Sequence, residues 1–302
     1  MAKISSEDKQ VYIKTGLILS IIAICFLVWL WWVRIYTSKA NVFNAMLINS
    51  LSTRGVTKTT SDKAEESSYK QVSQAQFGAD NKIDGRVDIS QPGSGGKIEV
   101  STKLIATPNE DFMRYASINI PTQDGKPKVD FSSLYNQWAK SSSLEGGGSS
   151  FSELAYGMVL FGNLPKNQRD ELYRIIKNEN VYKTDFSKTE FLHENGRTLY
   201  KYQVEVNPKS FGRLVKKYDE IIGRKQMETL DPEQYANVEP ITLTIKVDKI
   251  SRTLVELTYQ NSNGNSEKYG SFGVHNEVKL PQNTISRDEL EAKLQDLLNK
   301  QQ

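Results

Sequence analysis

TGLILSIIAICFLVWLWWV, at residues 15–33, sets the architecture of this chain, because it contains no charged residue and lies between Lys14 and Arg34. At about 1.5 Å per helical residue, such a run approaches the roughly 30 Å thickness of a bilayer's hydrocarbon core. Tryptophan at its far end suits the headgroup level of a membrane. We therefore assign residues 15–36 as a transmembrane anchor. Its characteristic side chains are Leu17, Ile21, Phe26, Trp29, Trp31 and Trp32.

Two other interpretations of this segment do not fit its sequence. A removable signal peptide has a shorter apolar core of about 7–15 residues and small residues at its cleavage point. Here Trp29, Trp31 and Trp32 occupy that end. A lipidated cysteine needs a small residue before it, but Ile24 precedes Cys25. We therefore expect a retained membrane helix.

The basic residues around the span indicate its direction. More of them precede the span than closely follow it: Lys3, Lys9 and Lys14 come before, and Arg34 and Lys39 come after. Cytoplasmic flanks carry the excess of Lys and Arg, so we expect a single-pass protein of the plasma membrane. The predicted organisation is a cytoplasmic stub at 1–14, the anchor at 15–36 and one extracytoplasmic domain at 37–302.

The charge balance argues against one class of function. The chain has 39 basic and 36 acidic residues; without the four basic and two acidic residues of positions 1–36, 35 and 34 remain, a formal charge of +1. Nucleic-acid-binding domains carry a basic surplus on one face, so no nucleic acid is expected as a partner. Cys25 is the only cysteine, and the domain beyond the anchor therefore has no disulfide.

Hydrophobic periodicity predicts an α+β domain. ANVFNAMLINSLST at 40–53 has apolar residues at helical spacing. Two arrangements of this helix stay open: it packs on the domain, or it lies in the membrane interface. Residues 56–121 then alternate apolar and polar types in segments divided by turn signals such as the one at 92–96. This alternation predicts an antiparallel meander.

A helix and a loop are predicted in the middle of the chain. Residues 130–142 suggest a helix with four large side chains on one side, Phe131, Leu134, Tyr135 and Trp138. Trp138 either packs in the core or forms an aromatic wall of a ligand cavity. SSSLEGGGSS at 141–150 is too rich in Gly and Ser to pack, which predicts a flexible loop. This loop either separates two domains or, as we favour, lies within one.

The second half begins as helices and hairpins. FSELAYGMVLF at 151–161 and KNQRDELYRIIKN at 166–178 have helical spacing and form a predicted helix pair. Asn195 and Gly196 join two strand-like segments and tolerate the positive φ of a type I′ turn. A second such turn is predicted at 263–264.

Three further elements are expected in this half. Pro208 opens an amphipathic helix whose opposite face is basic, and that face is either solvated or in contact with anionic lipid. ITLTIKVDKISRTLVELTYQ at 241–260 is expected to bend near Asp248 and so to give two strands. The capping box of Ser286 and Glu289 introduces a C-terminal helix.

The sequence carries no catalytic or metal-binding motif. Its two histidines, His193 and His275, have no paired metal-ligand spacing. There is no GxSxG elbow, no phosphate loop and no GxGxxG after a strand. Carboxylates that are adjacent in sequence do not thereby face each other across a substrate. We expect no cofactor, no metal site and no enzymatic activity.

The order of elements resembles the LolA/LppX-type lipid-carrier family, in which a strongly curved antiparallel sheet wraps helices around an apolar cavity. The segments that carry the resemblance are VFNAMLINSL at 42–51, the meander around DGRVDIS at 84–90, the predicted helix of Trp138, and ITLTIKVDKISRTLVELTY at 241–259. The resemblance covers most of residues 40–281 and transfers no binding motif. It implies a half-barrel-like antiparallel sheet covered by amphipathic helices. The chain departs from the family by keeping a transmembrane helix where a lipobox or a cleaved signal would stand.

Two functions follow as expectations. The resemblance implies non-enzymatic binding of a hydrophobic ligand, a lipid or lipid-linked molecule, close to the bilayer. The alternative is an interaction or scaffold subunit of an envelope or secretion assembly, which binds other envelope proteins. A carrier predicts an enclosed apolar void, whereas a scaffold predicts a filled core with an exposed apolar patch or an uncovered sheet edge. The candidate cavity residues, chosen for size and apolar character, are Phe112, Tyr115, Trp138, Tyr156, Met158 and Phe161.

Overall fold

The computed structural model describes residues 6–61, 69–78, 81–93, 95–121, 129–142, 155–260, 265–273 and 277–299. The predicted turn at 263–264, His275 and all of the Gly/Ser-rich stretch after residue 142 lie outside the described residues. Within these ranges the chain forms a long N-terminal helix followed by a sheet and several helices.

The N-terminal helix α1, Ser6–Trp31, continues into a π-helical turn at Trp32–Tyr36. Leu17–Tyr36 is an apolar run of 20 residues, none of it buried, and is long and apolar enough to cross a membrane. The side chains predicted for the anchor are all exposed: Leu17, Ile21, Phe26, Trp29, Trp31 and Trp32. Apart from its end at Tyr36, whose side chain is half-buried, this run is exposed, and its hydrophobic surface is free to contact lipid.

Helix α2, Lys39–Ser50, follows the π-helical turn closely. The hydroxyl of Ser38 caps it by accepting the backbone N–H of Asn41 at 3.4 Å. Its buried apolar side chains are Val42, Phe43, Met46 and Leu47. Of the two arrangements left open by the sequence, the structure has the first: α2 packs on the domain.

Strands β1 to β5 form the predicted meander, in which each strand is antiparallel to the next. Their bounds are Gly55–Ser61, Lys70–Phe77, Ile83–Gly93, Gly96–Ala106 and Glu110–Asn119. Strands β6 to β9 are Trp138–Ser142, Tyr182–Thr184, Glu190–Glu194 and Arg197–Val206. Strands β10 to β13 are Ile241–Asp248, Leu254–Tyr259, Ser266–Gly270 and Thr284–Ser286.

All of these strands belong to one open sheet. Its order in the described residues is β13-β6-β5-β4-β3-β2-β1-β12-β11-β10-β9-β7, and β8 also pairs with β9. Every pairing is antiparallel except that of β13 with β6. Because successive strands twist in one direction, a sheet this wide curves strongly. The predicted α+β half-barrel is therefore confirmed.

The predicted turns are confirmed where the structure describes them. Asn195 and Gly196 connect β8 to β9 with φ of 50° and 75°, as a type I′ turn requires. β10 ends at Asp248, whose carboxylate accepts the backbone N–H groups two and three residues further on, at 2.9 and 2.8 Å. Arg252 closes this turn with φ of 55°. The bend thus arises from the local hydrogen bonding that Asp favours.

The remaining helices are α3, Lys166–Asn178, α4, Pro208–Ile221, and α5, Arg287–Asn299. The side chain of Asn207 caps α4 by accepting the backbone N–H of Ser210 at 3.0 Å. The hydroxyl of Ser286 caps α5 by accepting the backbone N–H of Glu289 at 3.1 Å. Both N-termini lie where the sequence predicted them.

The predicted helix at 130–142 is wrong. The structure has only a short 3₁₀ turn, Ser132–Leu134, followed by strand β6 with Trp138 at its start. β6 pairs with β5 on one side and with β13 on the other. These pairings satisfy its backbone and override the local helical spacing.

The first member of the predicted helix pair is also wrong over the part that the structure describes. Residues 156–161 are irregular, while 151–154 lie outside the described residues. The backbone N–H of Gly162 donates to the carbonyl of Ser50 at 3.1 Å, and that of Leu164 to Leu51 at 2.9 Å. This segment is therefore tied to the end of α2. The second member is α3, as predicted.

Candidate ligand-binding face

One face of the sheet, here called the inner face, carries the helices and is apolar across most of its width. Strand side chains alternate between faces, and the pairings of Ile89 with Val100 and of Leu104 with Met113 fix which residues share this face. Helix α2 contacts the sheet at β10, with α3 and α4 packed alongside, and α5 contacts it at β6 and β13. The inner face is thus covered from its two ends.

The buried side chains on this face form two clusters. The first cluster joins α2, α3, α4 and residues 155–164 to strands from β1 to β4 and from β9 to β12, with Phe43, Tyr202, Leu214 and Leu243 among its members. The second cluster lies under α5 and consists of Ile118, Phe131, Leu134, Ala139 and Leu290.

The two clusters meet at Met113, which packs against both. Ile89 on β3 packs against the first cluster, and Val100 and Tyr115 on β4 and β5 pack against the second. All four side chains are half-buried, and together they are named the seam. A row of half-buried apolar side chains between two covering layers is where an apolar ligand displaces water most favourably.

Three of the predicted cavity residues, Tyr156, Met158 and Phe161, come together against the first cluster. Phe161 is buried and stacks on Tyr269, with ring centroids 5.4 Å apart. The backbone carbonyl of Met158 accepts the hydroxyl of Tyr182 at 2.8 Å. These three residues therefore belong to the layer that covers the inner face.

The other three predicted residues are separated by strand alternation. Tyr115 lies on the inner face, in the seam. Phe112 and Trp138 lie on the opposite, outer face, because the next residue along each strand lies on the inner face. There the guanidinium of Arg114 lies 5.1 Å from the ring centre of Trp138, and the ammonium of Lys140 lies 6.0 Å from that of Phe112. The six predicted residues are thus not brought together.

Tyr156 is held by a buried carboxylate on α4. Its hydroxyl donates to Oδ1 of Asp219 at 2.5 Å, and Oδ2 accepts the backbone N–H of Met227 at 2.9 Å. Burial, followed by the hydrogen bond and charge of Asp219, raises the pKa of Tyr156 well above its ordinary value. Close by, the buried guanidinium of Arg224 lies 3.6 Å from the carboxylate of Asp111. The first contact holds the covering segment against α4, and the second ties the end of α4 to β5.

The inner face also has a polar part, at β11 and β12, that the sequence predictions missed. Glu267 is 9% exposed and accepts a hydrogen bond from the hydroxyl of Tyr269. Burial and then the charge of Glu267 raise the pKa of both Tyr269 and Tyr259. The sequence signal for this group is the spacing of Glu267 and Tyr269, since residues two apart in a strand share a face.

Open clefts lie around this framework. One of about 350 Å³ lies at the end of α2, and its lining includes Asn49, Thr53, Arg54 and Phe272. A second, of about 310 Å³, lies at the end of α4 beside Asp219, Arg224 and Lys225. A third, of about 300 Å³, is lined by Val72, Arg86, Asp88 and Ser101, together with Ile89 and Val100 of the seam. All three are lined mainly by polar residues.

Side chains suited to metal binding are scattered. Among the described residues no group of three or more His, Cys, Asp or Glu side chains is placed to hold a metal ion. His193 lies on the exposed β8–β9 hairpin, where its Nδ1 is 3.3 Å from the hydroxyl of Thr198.

No family model matches the chain, and no characterised protein sequence matches it. Among solved structures, the chain is similar to LprF from Mycobacterium bovis, with 8% identity, 81% of this chain and 96% of that chain covered, and a TM-score of 0.38. It is also similar to the Mycobacterium tuberculosis lipoprotein LppX, with 11% identity, 80% and 96% covered, and a TM-score of 0.36. The half-barrel predicted from the order of elements is seen in the strand pairings themselves, as one wide and almost wholly antiparallel sheet.

Proposed function

We propose that this chain is a single-pass, non-enzymatic protein of the plasma membrane whose extracytoplasmic domain, 37–302, binds a hydrophobic ligand, a lipid or a lipid-linked molecule. The seam carries this proposal. Its four side chains, Ile89, Val100, Met113 and Tyr115, are half-buried and lie between the two layers that cover the inner face. An acyl chain along the seam removes their apolar surface from water, at about 25 cal/mol per Å².

The N-terminal helix supports the membrane part of the proposal. Its apolar run of 20 residues corresponds to roughly 30 Å of helix, about the thickness of the hydrocarbon core. The excess of basic residues before the run favours a cytoplasmic N-terminus. A protein held in this way binds its ligand next to the bilayer instead of carrying it between membranes.

Docking of another envelope protein is a second candidate, and the packing of the first cluster favours it. Met46, Tyr202 and Leu243 in that cluster are completely buried, so side chains fill this part of the inner face. Strand β8, beside β9, carries Phe191, which is 51% exposed. A filled core with an exposed apolar side chain on an edge strand fits a scaffold subunit of an envelope or secretion assembly.

Photocrosslinking distinguishes the two candidates. The full-length chain is placed in bilayer nanodiscs that contain a phospholipid with a diazirine in its acyl chain, irradiated, and mapped by peptide mass spectrometry. We expect adducts on β4 and β5 in addition to those on α1. Val100→Lys should abolish the β4 and β5 adducts, because an ammonium in the seam excludes an acyl chain. Val72→Lys is the matched control, since Val72 is also half-buried but lies on the outer face.

Each result has a distinct meaning. Loss of the strand adducts in Val100→Lys alone supports ligand binding at the seam, provided that circular dichroism shows both variants folded. Adducts confined to α1 in the unaltered chain would contradict ligand binding and favour the docking function. The absence of adducts on α1 would contradict the membrane anchor.

A further inference from the structure

Hydrogen bonds from distant parts of the chain fasten the end of the apolar helix to the domain. Nη2 of Arg252, in the β10–β11 turn, donates to the carbonyl of Tyr36 at 2.6 Å, and its guanidinium lies 3.3 Å from the centre of the Tyr36 ring. The hydroxyl of Tyr200 on β9 donates to the carbonyl of Thr37 at 2.9 Å. The last carbonyls of a helix have no partner within it, and here the sheet supplies donors. The domain therefore has a fixed orientation on the helix end.

The surface around this junction is apolar and basic. Phe191 on β8 is 51% exposed, and Ile250 in the β10–β11 turn is 52% exposed. The ammonium of Lys249 lies 5.4 Å from the ring centre of Phe191 and 5.8 Å from that of Tyr200. Because the hydroxyl of Tyr200 also bonds to Thr37, directly after the helix, this surface adjoins the point where the helix meets the domain. Its four residues, Phe191, Lys249, Ile250 and Arg252, are named the foot.

Exposed large apolar side chains are sparse over the rest of the domain. In the described residues beyond the N-terminal helix, the others are Tyr235, Val238 and Leu280. Two of these five side chains thus lie in the foot, on either side of a lysine. An apolar pair that flanks a basic side chain is the composition of a segment that lies in a membrane interface.

From these contacts we infer that the foot rests in the interface of the bilayer that the helix enters, with Phe191 and Ile250 among the lipid glycerol groups and upper acyl chains, and Lys249 and Arg252 against anionic headgroups. This inference rests on the proposed membrane anchor. The apolar run ends at Tyr36, so Tyr36 lies at the boundary of the hydrocarbon core. The headgroup region beyond that boundary is only about 5–8 Å thick, and Arg252 contacts Tyr36 directly.

Depth-dependent fluorescence quenching tests the foot in the full-length chain. Single cysteines are introduced by Ile250→Cys, Phe191→Cys and, as a matched control, Val238→Cys, which replaces a valine that is 49% exposed away from the foot. The background carries Cys25→Ser. Each is labelled with an environment-sensitive fluorophore in nanodiscs that contain lipids spin-labelled near the headgroup. We expect quenching at positions 250 and 191 to be about threefold stronger than at 238.

The lipid charge requirement is tested by Lys249→Glu in the Ile250→Cys protein. On nanodiscs rich in phosphatidylglycerol we expect quenching at position 250 to fall about twofold, because attraction to anionic headgroups becomes repulsion. On pure phosphatidylcholine the change should be small. Lys225→Glu, at an exposed lysine by the α4 cleft, is the control and should have no effect on either bilayer.

The experiment separates an error about the membrane contact of the foot from an error about the membrane anchor. Native Cys25, labelled in the chain without other changes, reports the anchor when the spin label is deep in the acyl chains. If the label on Cys25 is quenched while labels at positions 250, 191 and 238 are quenched equally, the membrane contact of the foot is contradicted and the membrane anchor is supported. If Cys25 is not quenched, both are overturned.

Discussion

The two ends of the inner face are packed very differently. The first cluster holds three helices against strands from both halves of the sheet and includes buried tyrosines such as Tyr202 and Tyr218. The second cluster has four buried side chains under a single helix, α5, which adds Leu290 as its only buried residue. We therefore expect the end of the sheet beside α1 to carry most of the stability and the far end, under α5, to open separately.

Alkaline pH should weaken the first cluster most strongly. Burial raises the pKa of Tyr182 and of Tyr218 well above the ordinary value. Above about pH 10 the unfolded chain loses these phenolic protons while the folded chain keeps them, so the free energy of unfolding falls with rising pH. Each tyrosine contributes about 1.4 kcal/mol per pH unit, so the two remove on the order of 5 kcal/mol by about pH 12. Urea unfolding across this pH range, followed by near-ultraviolet circular dichroism, measures the loss.

Tyr218→Phe is the control for this pH dependence. The variant loses the hydrogen bond from the Tyr218 hydroxyl to the carbonyl of Phe161 and starts less stable at neutral pH. Its free energy of unfolding should nevertheless fall less steeply between about pH 10 and pH 12, because one titrating phenol is gone. If the unfolding free energy of the variant fell with pH as steeply as that of the unaltered chain, burial of the Tyr218 phenol would not contribute to the pH dependence.

Phe43→Ala should cost about 3–5 kcal/mol, as expected for a buried aromatic ring in a core that cannot collapse around the cavity. The ring of Phe43 is 2% exposed, and its centroid lies 5.1 Å from that of Tyr202. Phe191→Ala is the control and should cost less than about 0.5 kcal/mol in detergent micelles, because that side chain is exposed. If urea unfolding showed equal losses of unfolding free energy for the two variants, burial of Phe43 would not explain its contribution to stability.

Leu290→Ala should cost about 2–3 kcal/mol, and the loss should be local. Because Leu290 is the only buried side chain of α5, its truncation releases the helix and exposes the second cluster. Hydrogen exchange should therefore accelerate at 287–299 while the strands of the first cluster stay protected. Acceleration across the whole sheet would show that the two ends unfold together.

Lys293→Ala gives the smallest expected effect, about 0.3 kcal/mol. The ammonium of Lys293 lies 2.8 Å from a carboxylate oxygen of Glu289, one turn earlier, and donates to the side chain of Gln137 at 3.0 Å. Solvent screens the ion pair, so thermal unfolding should shift only slightly. A loss as large as that of Leu290→Ala would mean that polar contacts, and not Leu290, hold α5.

Elements whose pattern is local were predictable from the sequence. The alternation in β1 to β5, the Asn195 and Gly196 turn, the bend at Asp248 and the caps of α4 and α5 all depend on residues close together in the chain. The segment of Trp138 was predicted incorrectly because its strand exists only through pairing with β5 and β13. The spacing of residues within the segment gives no information about these two partner strands.

The candidate site was less predictable for the same reason. Size and apolar character selected Phe112 and Trp138, but strand register places both on the outer face. The seam residue Met113 lies next to Phe112 in sequence, and only the register shows that it touches both clusters. The contact of Arg252 with Tyr36 joins residues 216 positions apart. The sequence around each of these two residues gives no sign that they meet.

The hydrogen bonds that hold the end of α1 to the domain also determine how the protein responds to mechanical force. A pull on the apolar helix α1 reaches the carbonyls of Tyr36, Thr37 and Lys39, which accept hydrogen bonds from Arg252, Tyr200 and Tyr202 respectively. These bonds share the load and pass it to β9 and the β10–β11 turn, near the end of the sheet that the first cluster covers. Tension along the helix is thereby spread over the most deeply buried part of the domain before it can peel α2 from the sheet.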